Sequence, residues 1–584
     1  MKYSSIPLAQ TIAELCKAYN IQHIVISPGS RSAALTISFT NDDYFKCYSI
    51  VDERCAGFFA LGIAQQIQQP VALVCTSGSA LLNYYPAVSE AYYSDIPLVV
   101  LSADRPKYLV DIGDGQTIKQ ANVYGSHVHY NANLKLDLRD DTINYSKEEP
   151  KLIQSLQDKA ERFLGIQEDT QASNEREINA AFHKAIASSG PVHLNCPFEE
   201  PLYNTVDTLI KPIKKAEPSH FNTTFLDPEV ETAKAEWEQS PKKMVLIGAN
   251  YPDTIDNLFI EALANDDSVI VFTETTSNIH HSAFFPSIDK IIAPLEDDDF
   301  KRLQPDILLT VGGMIVSKKV KAFLRKYQPK LHWHLGGTRA NDTFFCLSKH
   351  FKMSADSFFK SISEYQNVAS DYKATWTKVK AHRISKHDHY LDEIPFCDFK
   401  VFDILLKSIP DHNQLQVSNS SAIRYTQLFD LNPTLSVFCN RGTSGIDGST
   451  STAIGAASVT TQPVVFITGD LSFFYDSNAL WNNYIPNNFR ILLINNEGGG
   501  IFRILPGHKN TENFDAYFET KHQLTAKHLC EMYGFDYKVA DNEEALKQAL
   551  QDFYSTSDAP KLLEIHTPSR LNDEVLLAYF NYIK

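Results

Sequence analysis

Apolar residues in this chain form short continuous runs, rich in β-branched residues and bounded by glycine, proline or polar residues. Runs of this kind are typical of parallel strands buried on both faces, whereas a half-exposed strand alternates polar and apolar positions. The predicted strands are 23–26, 48–51, 71–75, 98–101, 191–197, 244–248, 269–273, 307–311, 331–335, 415–418, 435–439, 464–468, 491–495 and 562–566. Helix-type patterns separate them, so the sequence predicts an α/β protein with doubly wound parallel sheets.

The helical patterns suggest where the domains divide. Residues 7–19 place apolar side chains at helical spacing behind Pro7, and further helices are predicted near 150–164 and 174–188. The segment 365–395 is charged and helical and contains no strand pattern, so it is interpreted as a connection. The sequence therefore predicts three domains, at residues 1–205, 206–364 and 365–584.

Composition excludes some classes of partner. With 54 Lys and Arg against 70 Asp and Glu, the net charge of −16 provides no basic surface for nucleic acid. An acidic surface also repels anions at long range, so an anion site must depend on a local cluster of arginine and lysine. The nine cysteines lack metal-ligand spacing and favour free thiols in a reducing cytoplasm, and no apolar stretch is long enough to cross a bilayer.

Two predicted strands end in oxygen-bearing side chains. Strand 464–468 leads into Gly469 and Asp470, and strand 491–495 leads into Asn496. Parallel strands end at a common edge, where α/β sheets bind ligands, and carboxylate, amide and carbonyl oxygens suit Mg²⁺. Asp470, Asn496 and the Gly498 carbonyl are the predicted metal ligands; Asn495 remains the alternative amide, and a polar loop without a metal remains the alternative site.

Six motifs together resemble one branch of the thiamine diphosphate enzymes. They are SPGSRS (27–32), DER with GFFALG (52–62), the segment 76–106 ending in SADRP, NRGTSGIDGSTSTAIG (440–455), GDLSF (469–473) and NNEGGGIF (495–502). The chain is similar to the 2-succinyl-5-enolpyruvyl-6-hydroxy-3-cyclohexene-1-carboxylate synthases of menaquinone biosynthesis over nearly its whole length, more loosely in the middle domain. Leu471 replaces the last glycine of the usual GDG motif, as is typical of this branch.

The resemblance implies a transferase that removes CO₂ from 2-oxoglutarate and adds the succinyl unit to isochorismate. It also implies thiamine diphosphate and Mg²⁺, with Mn²⁺ as an alternative, and pyrimidine-binding, central and diphosphate-binding domains. A homodimer or homotetramer with sites between subunits is implied as well.

The resemblance assigns roles to particular residues. Catalytic residues are Glu53, Arg31 and Arg441. Cofactor-binding residues are Glu53, Gly445, Ile446, Asp470, Leu471, Ser472, Asn496, Gly498 and Ile501. Substrate-binding residues are Ser30, Arg31, Arg105, Gln116, Lys318, Ser420, Arg424, Arg441, Ile501 and Phe502, with Lys319 as an alternative to Lys318.

The residue types fit these roles. Glu53 precedes an apolar helix, where burial is expected to raise the proton affinity of its carboxylate. An arginine side chain can bind a carboxylate through two parallel hydrogen bonds, and both implied substrates are dianions. Glu497 adds a negative charge beside the expected anion site, and the sequence gives no reason for it.

Two other functions agree with parts of the sequence. A simpler thiamine diphosphate-dependent 2-keto acid decarboxylase, or an acetolactate synthase-like enzyme, would share the cofactor motifs but would not need so many cationic side chains. A nucleotide-binding α/β protein without turnover is less consistent, because the chain lacks a complete GxGxxG fingerprint.

Overall fold

A computed structural model describes residues 2–137, 170–210, 213, 215, 228–337, 339–362, 368–504 and 511–584. Three sheets within these residues consist only of parallel strands, and helices connect the strands. This arrangement confirms the predicted α/β class. A small antiparallel pair, Tyr3–Ser4 with Thr205–Val206, completes the described sheets.

The first sheet has six strands in the spatial order β3-β2-β4-β5-β7-β6. The chain runs outward in both directions from β2, so a switch point lies between the ends of β2 and β4. The strands are β2 (His23–Ile26), β3 (Lys46–Ser49), β4 (Val71–Cys75), β5 (Leu98–Asp104), β6 (Asn131–Asn133) and β7 (Val192–Pro197), where β1 is Tyr3–Ser4.

The second sheet has five strands in the order β10-β9-β11-β12-β13, and the third has six in the order β15-β14-β16-β17-β19-β18. In the third sheet the switch point lies between β14 and β16. The strands, following β8 (Thr205–Val206), are β9 (Lys243–Ile247), β10 (Val269–Thr273), β11 (Ile307–Val311), β12 (Leu331–Leu335), β13 (Leu347–Phe351), β14 (Gln414–Val417), β15 (Ser436–Phe438), β16 (Val464–Gly469), β17 (Arg490–Asn495), β18 (Asp536–Ala540) and β19 (Lys561–His566).

The helices cover the faces of the sheets. Those with six or more residues are Pro7–Ala18, Ala33–Thr40, Glu53–Ile67, Tyr85–Ser94, Thr170–Ser188, Pro228–Gln239, Asn257–Asn265, Asp297–Leu303, Lys318–Lys326, Ala355–Ile362, Tyr372–Glu393, Asp398–Ser408, Ser421–Thr426, Ser449–Ala457, Asp470–Tyr475, Lys527–Tyr533, Glu543–Leu550 and Asn572–Tyr582. The predicted helix 150–164 lies outside the described residues, and the connecting segment 365–395 contains the helix Tyr372–Glu393.

Every predicted strand is present, which confirms the periodicity argument, although the second lies two residues earlier than predicted. The sequence analysis missed the edge strands β6, β13 and β18. Lys349 and Lys538 interrupt two of these, and β6 has only three residues. Strands β13 and β18 are partly exposed, so they lack the continuous apolar run of a strand buried on both faces.

The chain divides into two compact units. Unit 1 contains residues 1–221, 451–460 and 478–485; unit 2 contains the remainder and therefore holds the second and third sheets. Within unit 1, a side chain on Gly62 would overlap the Thr452 backbone, and one on Gly455 would overlap the Phe59 backbone. These close contacts explain why part of the helix Ser449–Ala457 belongs to unit 1. The predicted domain boundaries at 205 and 364 stay predictions.

Two chemical expectations are answered by the fold. All nine cysteines are free thiols. Among the described residues, no helix has both the length and the apolar character needed to cross a bilayer.

Candidate active site

The carboxyl edge of the third sheet brings together the oxygen-bearing residues that the sequence singled out. Strand β14 ends before Asn419 and Ser420, β16 ends at Gly469, and β17 ends before Asn496. Strands β14 and β16 are neighbours, as are β16 and β17. The candidate cofactor residues therefore lie at and beside the switch point of this sheet.

Asp470 connects two of these strand ends. Its side chain is almost completely buried. Oδ1 accepts a hydrogen bond from the Leu471 N–H at 2.6 Å, and Oδ2 accepts one from the Gly498 N–H at 2.9 Å. A buried carboxylate held by two backbone donors stays in a fixed position, as a metal ligand requires.

His522 also faces Asp470, and the sequence analysis missed it. Its Nε2 lies 3.4 Å from Asp470 Oδ2, and this contact with the carboxylate raises the pKa of His522. The backbone N–H of His522 donates to the Glu497 carbonyl at 3.2 Å. No motif surrounds this histidine in the sequence, so only the fold reveals its position.

The two adjacent asparagines have different surroundings. The Asn495 side chain is buried and donates to Glu564 Oε1 at 2.7 Å and to the Leu524 carbonyl at 2.9 Å. Asn496 donates to Asp398 Oδ2 at 2.9 Å. Asp398 is fully buried, which raises its pKa to about 6, and Thr567 also donates to it. Asp398 thus fixes the nitrogen of the Asn496 amide and leaves its oxygen as the available ligand.

These surroundings predict opposite effects for alanine at the two positions. Asn496→Ala is expected to weaken Mg²⁺-dependent cofactor binding at least about tenfold, because it removes the proposed ligand oxygen. Little stability should be lost, because Asn496 is only half-buried and Asp398 keeps Thr567 as a donor. Asn495→Ala is expected to lower the free energy of unfolding by about 1–3 kcal/mol, because it removes a buried amide that donates to Glu564 Oε1 and to the Leu524 carbonyl. Calorimetric titration with thiamine diphosphate and Mg²⁺, together with thermal unfolding, would measure both; the reverse pattern would make Asn495 the ligand.

The glycine segment 498–500 is held closely against another backbone segment. Gly498 has φ +149°, and a Cβ there would lie 2.6 Å from the Glu519 carbonyl. The Gly499 N–H donates to that same carbonyl at 2.6 Å. Glu519 is in turn paired with buried Arg503. Glycine at 498 is therefore required by both conformation and space, while exposed Glu497 adopts φ +64° and still has no evident role.

The loop between β15 and the helix Ser449–Ala457 carries Arg441, Gly445 and Ile446. The Asn419 side chain, buried beneath this loop, donates to the Asn440 and Gly445 carbonyls at 2.7 Å each and accepts from Arg441 Nη1 at 2.6 Å. The Ile446 side chain is 36% exposed, which is unusual for a residue of its type. Ser472 Oγ donates to the Ile446 carbonyl at 2.8 Å, so the loop is also bound to the helix Asp470–Tyr475, which follows β16.

Ser420 and Arg424 follow Asn419 in the chain. Ser420 adopts φ +68° and ψ −127°, a conformation that is costly for a residue with a side chain and is often found at functional sites. Burial and the neighbouring charge of Arg441 both lower the pKa of Arg424. Two half-buried arginines held beside each other form a site that favours an anion.

The second sheet contributes cations to the same unit. Lys318 and Lys319 are both exposed at the start of their helix, and Lys319 Nζ lies 4.8 Å from the centre of the Phe580 ring. Lys321, which the sequence analysis did not select, is half-buried; burial lowers its pKa, and Glu274 opposes that effect. Lys321 interacts electrostatically with both Glu274 and Arg441, so it belongs to the same group of charges.

Glu274 holds the segment before that helix. Its buried carboxylate accepts from the Val316 and Ser317 N–H groups at 2.6 and 2.7 Å. Burial raises the pKa of Glu274 to about 7.

The apolar side of the site is less enclosed. The Phe502 side chain is 37% exposed, and its ring centre lies 6.0 Å from that of Phe518. Ile501 is half-buried.

In unit 1, Glu53 is the first residue of the helix Glu53–Ile67. The sequence predicts a buried carboxylate, but in this chain Glu53 is only half-buried, because it lies at the exposed end of the helix. The cap of the helix is Asp52, which accepts from the Arg54 and Cys55 N–H groups. Because Asp52 provides the cap, the Glu53 carboxylate is not needed to start the helix. It accepts a hydrogen bond from Asn83 Nδ2 at 3.4 Å.

Arg31 and Arg105 lie beyond the carboxyl ends of β2 and β5. Arg105 Nη1 donates to Ser77 Oγ at 2.6 Å and to the Gln116 carbonyl at 2.9 Å, and its Nε lies 3.1 Å from Asp114. Arg31 Nη1 donates to the Phe198 carbonyl at 3.0 Å. Burial, and then the nearby charge of Arg105, lower the pKa of Arg31. The structure thus brings Arg31, Arg105 and Gln116 together, with exposed Ser30 on the same loop as Arg31.

The residues of unit 2 fit a magnesium diphosphate group. Asp470, Asn496 and the Gly498 carbonyl supply the hard oxygens that Mg²⁺ binds. The hydroxyl groups of Ser449 and Thr450 are buried, and neither has a hydrogen-bond partner in the part of the chain that the structure describes. Buried hydroxyls of this kind are explained by a polar ligand. There is also open space beside Gly469, because a Cβ there would meet no described atom within 4 Å.

Two family descriptions of thiamine-dependent enzymes match long segments of the chain. The family description "Thiamine pyrophosphate enzyme, N-terminal TPP binding domain" matches residues 6–123, and the corresponding C-terminal TPP binding domain matches residues 419–565. Thiamine pyrophosphate is another name for thiamine diphosphate. These two segments contain all but one of the candidate residues, Lys318.

Three relatives cover the full chain. A 2-succinyl-5-enolpyruvyl-6-hydroxy-3-cyclohexene-1-carboxylate synthase of Christiangramia forsetii is 54% identical over 100% of both chains. The enzyme of the same name from Flavobacterium psychrophilum is 53% identical over 99% of both chains. The one from Porphyromonas gingivalis is 33% identical over 100% of this chain and 98% of its own.

Proposed function

Because the chain belongs to the family of 2-succinyl-5-enolpyruvyl-6-hydroxy-3-cyclohexene-1-carboxylate synthases, we infer that it catalyses the reaction of that family. It is a thiamine diphosphate-dependent transferase of menaquinone biosynthesis, and its substrates are the small molecules 2-oxoglutarate and isochorismate. The observation that carries this conclusion is the identity of 52–54% with three such enzymes over at least 99% of the chain.

Bound thiamine diphosphate supplies the electron sink that allows CO₂ to leave a 2-keto acid. We propose that Asp470, Asn496 and the Gly498 carbonyl hold the Mg²⁺ that accompanies it, with Mn²⁺ as an alternative, and that Asp398 orients the Asn496 amide toward the ion. The half-exposed Ile446, with Gly445, Leu471, Ser472 and Ile501, would contact the cofactor. Glu53 would exchange a proton with the aminopyrimidine ring, since general acid–base catalysis needs a titratable group that is free to do so.

We propose separate roles for two groups of the cationic side chains. In unit 2, Ser420 and Arg424 would bind the carboxylate of the succinyl unit. For isochorismate, the proposed contacts are Ser30, Arg31, Arg105, Gln116, Lys318 and Arg441. Ile501 and Phe502 would form an apolar wall that excludes water, which would otherwise quench the reactive carbon.

The oligomeric state and the cellular location of the protein are also proposed here. We propose a homodimer or homotetramer whose active sites include residues of two subunits, and a cytoplasmic location. The nine free thiols support a reducing compartment.

The reaction is tested by following the loss of isochorismate absorbance with the purified protein, 2-oxoglutarate, Mg²⁺ and thiamine diphosphate, omitting each component in turn. Loss that requires all four supports the proposed reaction. Release of CO₂ without loss of isochorismate would instead indicate a simple 2-keto acid decarboxylase, and activity without added or bound cofactor would contradict the assignment.

Replacing Arg105 tests the isochorismate site. Arg105→Met is expected to raise the KM for isochorismate by about 10- to 100-fold, because a hydrogen bond to a charged group contributes about 1.5–3 kcal/mol, and to change the KM for 2-oxoglutarate less than about twofold. Steady-state kinetics with each substrate varied would measure this. Arg176→Met, at an exposed arginine of unit 1, is the control; equal changes for the two substrates would remove Arg105 from the isochorismate site.

A further inference from the structure

Asn419 lies directly beneath the loop that carries the proposed substrate and cofactor contacts of unit 2. It follows β14 at the switch point of the third sheet, and only 2% of it is exposed. The next residue, Ser420, has a positive φ. The side chain of Asn419 is therefore held rigidly at a point where the backbone itself is constrained.

The amide group of Asn419 uses both of its chemical functions. Its two N–H bonds are directed to the carbonyls of Asn440 and Gly445, and its oxygen accepts from Arg441 Nη1. The Cys439 thiol also lies 3.4 Å from that oxygen. An amide has two donors and an acceptor with two lone pairs, so no other side chain of this size could make the same contacts.

These contacts fix the start and a central point of the loop 439–448, which belongs to no helix or strand. Arg441 lies near its start, and Ile446 directly follows Gly445. Asn419 thus determines where the Arg441 guanidinium is directed and where the turn that presents Ile446 is placed. Any shift of this amide moves both together.

We infer that Asn419 is a positioning residue that aligns Arg441 and the Gly445–Ile446 turn through one amide group. It couples the binding of the substrate carboxylate to the binding of the cofactor. This inference rests on the proposed function for the identity of the substrate, whereas its cofactor part can be measured without any turnover.

The chain provides a matched control in Asn413. This residue lies at the opposite end of the same strand, is also buried, and its amide also donates to two carbonyls, those of Pro410 and Asp411. Asn413→Asp therefore makes the same chemical change just before β14, whereas Asn419 lies beyond the other end of that strand. A loss of stability caused only by placing a carboxyl group in a buried position is expected in both variants.

The experiment compares Asn419→Asp with Asn413→Asp. The first variant replaces the two N–H donors by an oxygen that faces two carbonyls, so the loop must shift. We expect the KM for isochorismate and the Kd for thiamine diphosphate with Mg²⁺, measured by calorimetry without substrate, each to rise about tenfold or more. In Asn413→Asp both are expected to stay within about twofold. Parental values in Asn419→Asp, or equal changes in the two variants, would overturn the inference.

Further variants test whether the two effects share one origin. Arg441→Gln is expected to raise the KM alone, and Ile446→Ala to raise the Kd alone. Adding Asn419→Asp to Arg441→Gln is expected to raise the KM no further, because coupled residues give non-additive effects; a multiplicative increase would contradict the coupling. If Asn419→Asp does not fold, Asn419→Ser must show the same joint rise.

The proposed reaction and the role of Asn419 can be tested separately. If the parent protein binds thiamine diphosphate but does not consume isochorismate, the proposed reaction is wrong. The Kd comparison between Asn419→Asp and Asn413→Asp still decides whether Asn419 positions the cofactor turn.

Discussion

Replacing Glu53 by glutamine is expected to reduce turnover by at least about 100-fold while leaving the fold intact. A positioned general acid or base contributes about 10²- to 10⁴-fold to the rate, and glutamine keeps the shape of glutamate but does not exchange a proton. The structure explains why stability should survive. Glu53 is half-buried, and the cap of its helix is formed by Asp52.

The measurement is kcat at saturating substrates and cofactor, together with the thermal unfolding midpoint. Asp52→Ala is the structural counterpart: loss of a helix cap should lower the free energy of unfolding by about 0.5–2 kcal/mol. A Glu53→Gln protein with near-parental turnover would exclude Glu53 from the mechanism. A large loss of stability in the same variant would show that its role is structural.

The second large effect is expected for Asp470→Asn. Mg²⁺ binds poorly where a carboxylate has been replaced by a neutral amide. Turnover is therefore expected to fall by more than the 10- to 100-fold typical of an outer-shell partner of a metal. Asparagine has one side-chain oxygen, so it can keep the contact with the Gly498 N–H or the one with the Leu471 N–H, but not both.

Ligand-induced stabilisation tests this prediction without turnover. Thiamine diphosphate with Mg²⁺ should raise the unfolding temperature of the parent, since a ligand that binds only the folded state stabilises it. The same additions should not change the unfolding temperature of Asp470→Asn. Asp411→Asn is a suitable control, because Asp411 is exposed just before the amino end of β14. Equal ligand-induced stabilisation of the parent and Asp470→Asn would show that Asp470 does not hold the metal.

The placement of Asp470 and Asn496 at one edge could be predicted from sequence. Two short apolar runs indicate parallel strands, and neighbouring parallel strands end at a common edge. The choice between Asn495 and Asn496 could not be predicted in this way. It depends on Glu564, which is 69 residues from Asn495, and on Asp398, which is 98 residues from Asn496.

Other positions became visible only in the folded chain. His522 faces Asp470, and Lys321 interacts with Glu274 and Arg441 although no motif marks either residue. Glu53 illustrates the opposite case, because the apolar helix that follows it suggested more burial than the chain provides.

The sequence by itself determined the α/β class, the central strands of three parallel sheets and the strand ends that carry the candidate residues. It could do so because buried strands, turns and strand ends depend on local patterns of apolar and polar residues. Only the tertiary structure decided which side chains meet: Asn419 with Arg441, Asp398 with Asn496, and Glu274 with the segment before Lys318. The reason is physical. A buried polar group needs a partner of matching chemistry, and in most of these pairs that partner lies on an element far away in the chain.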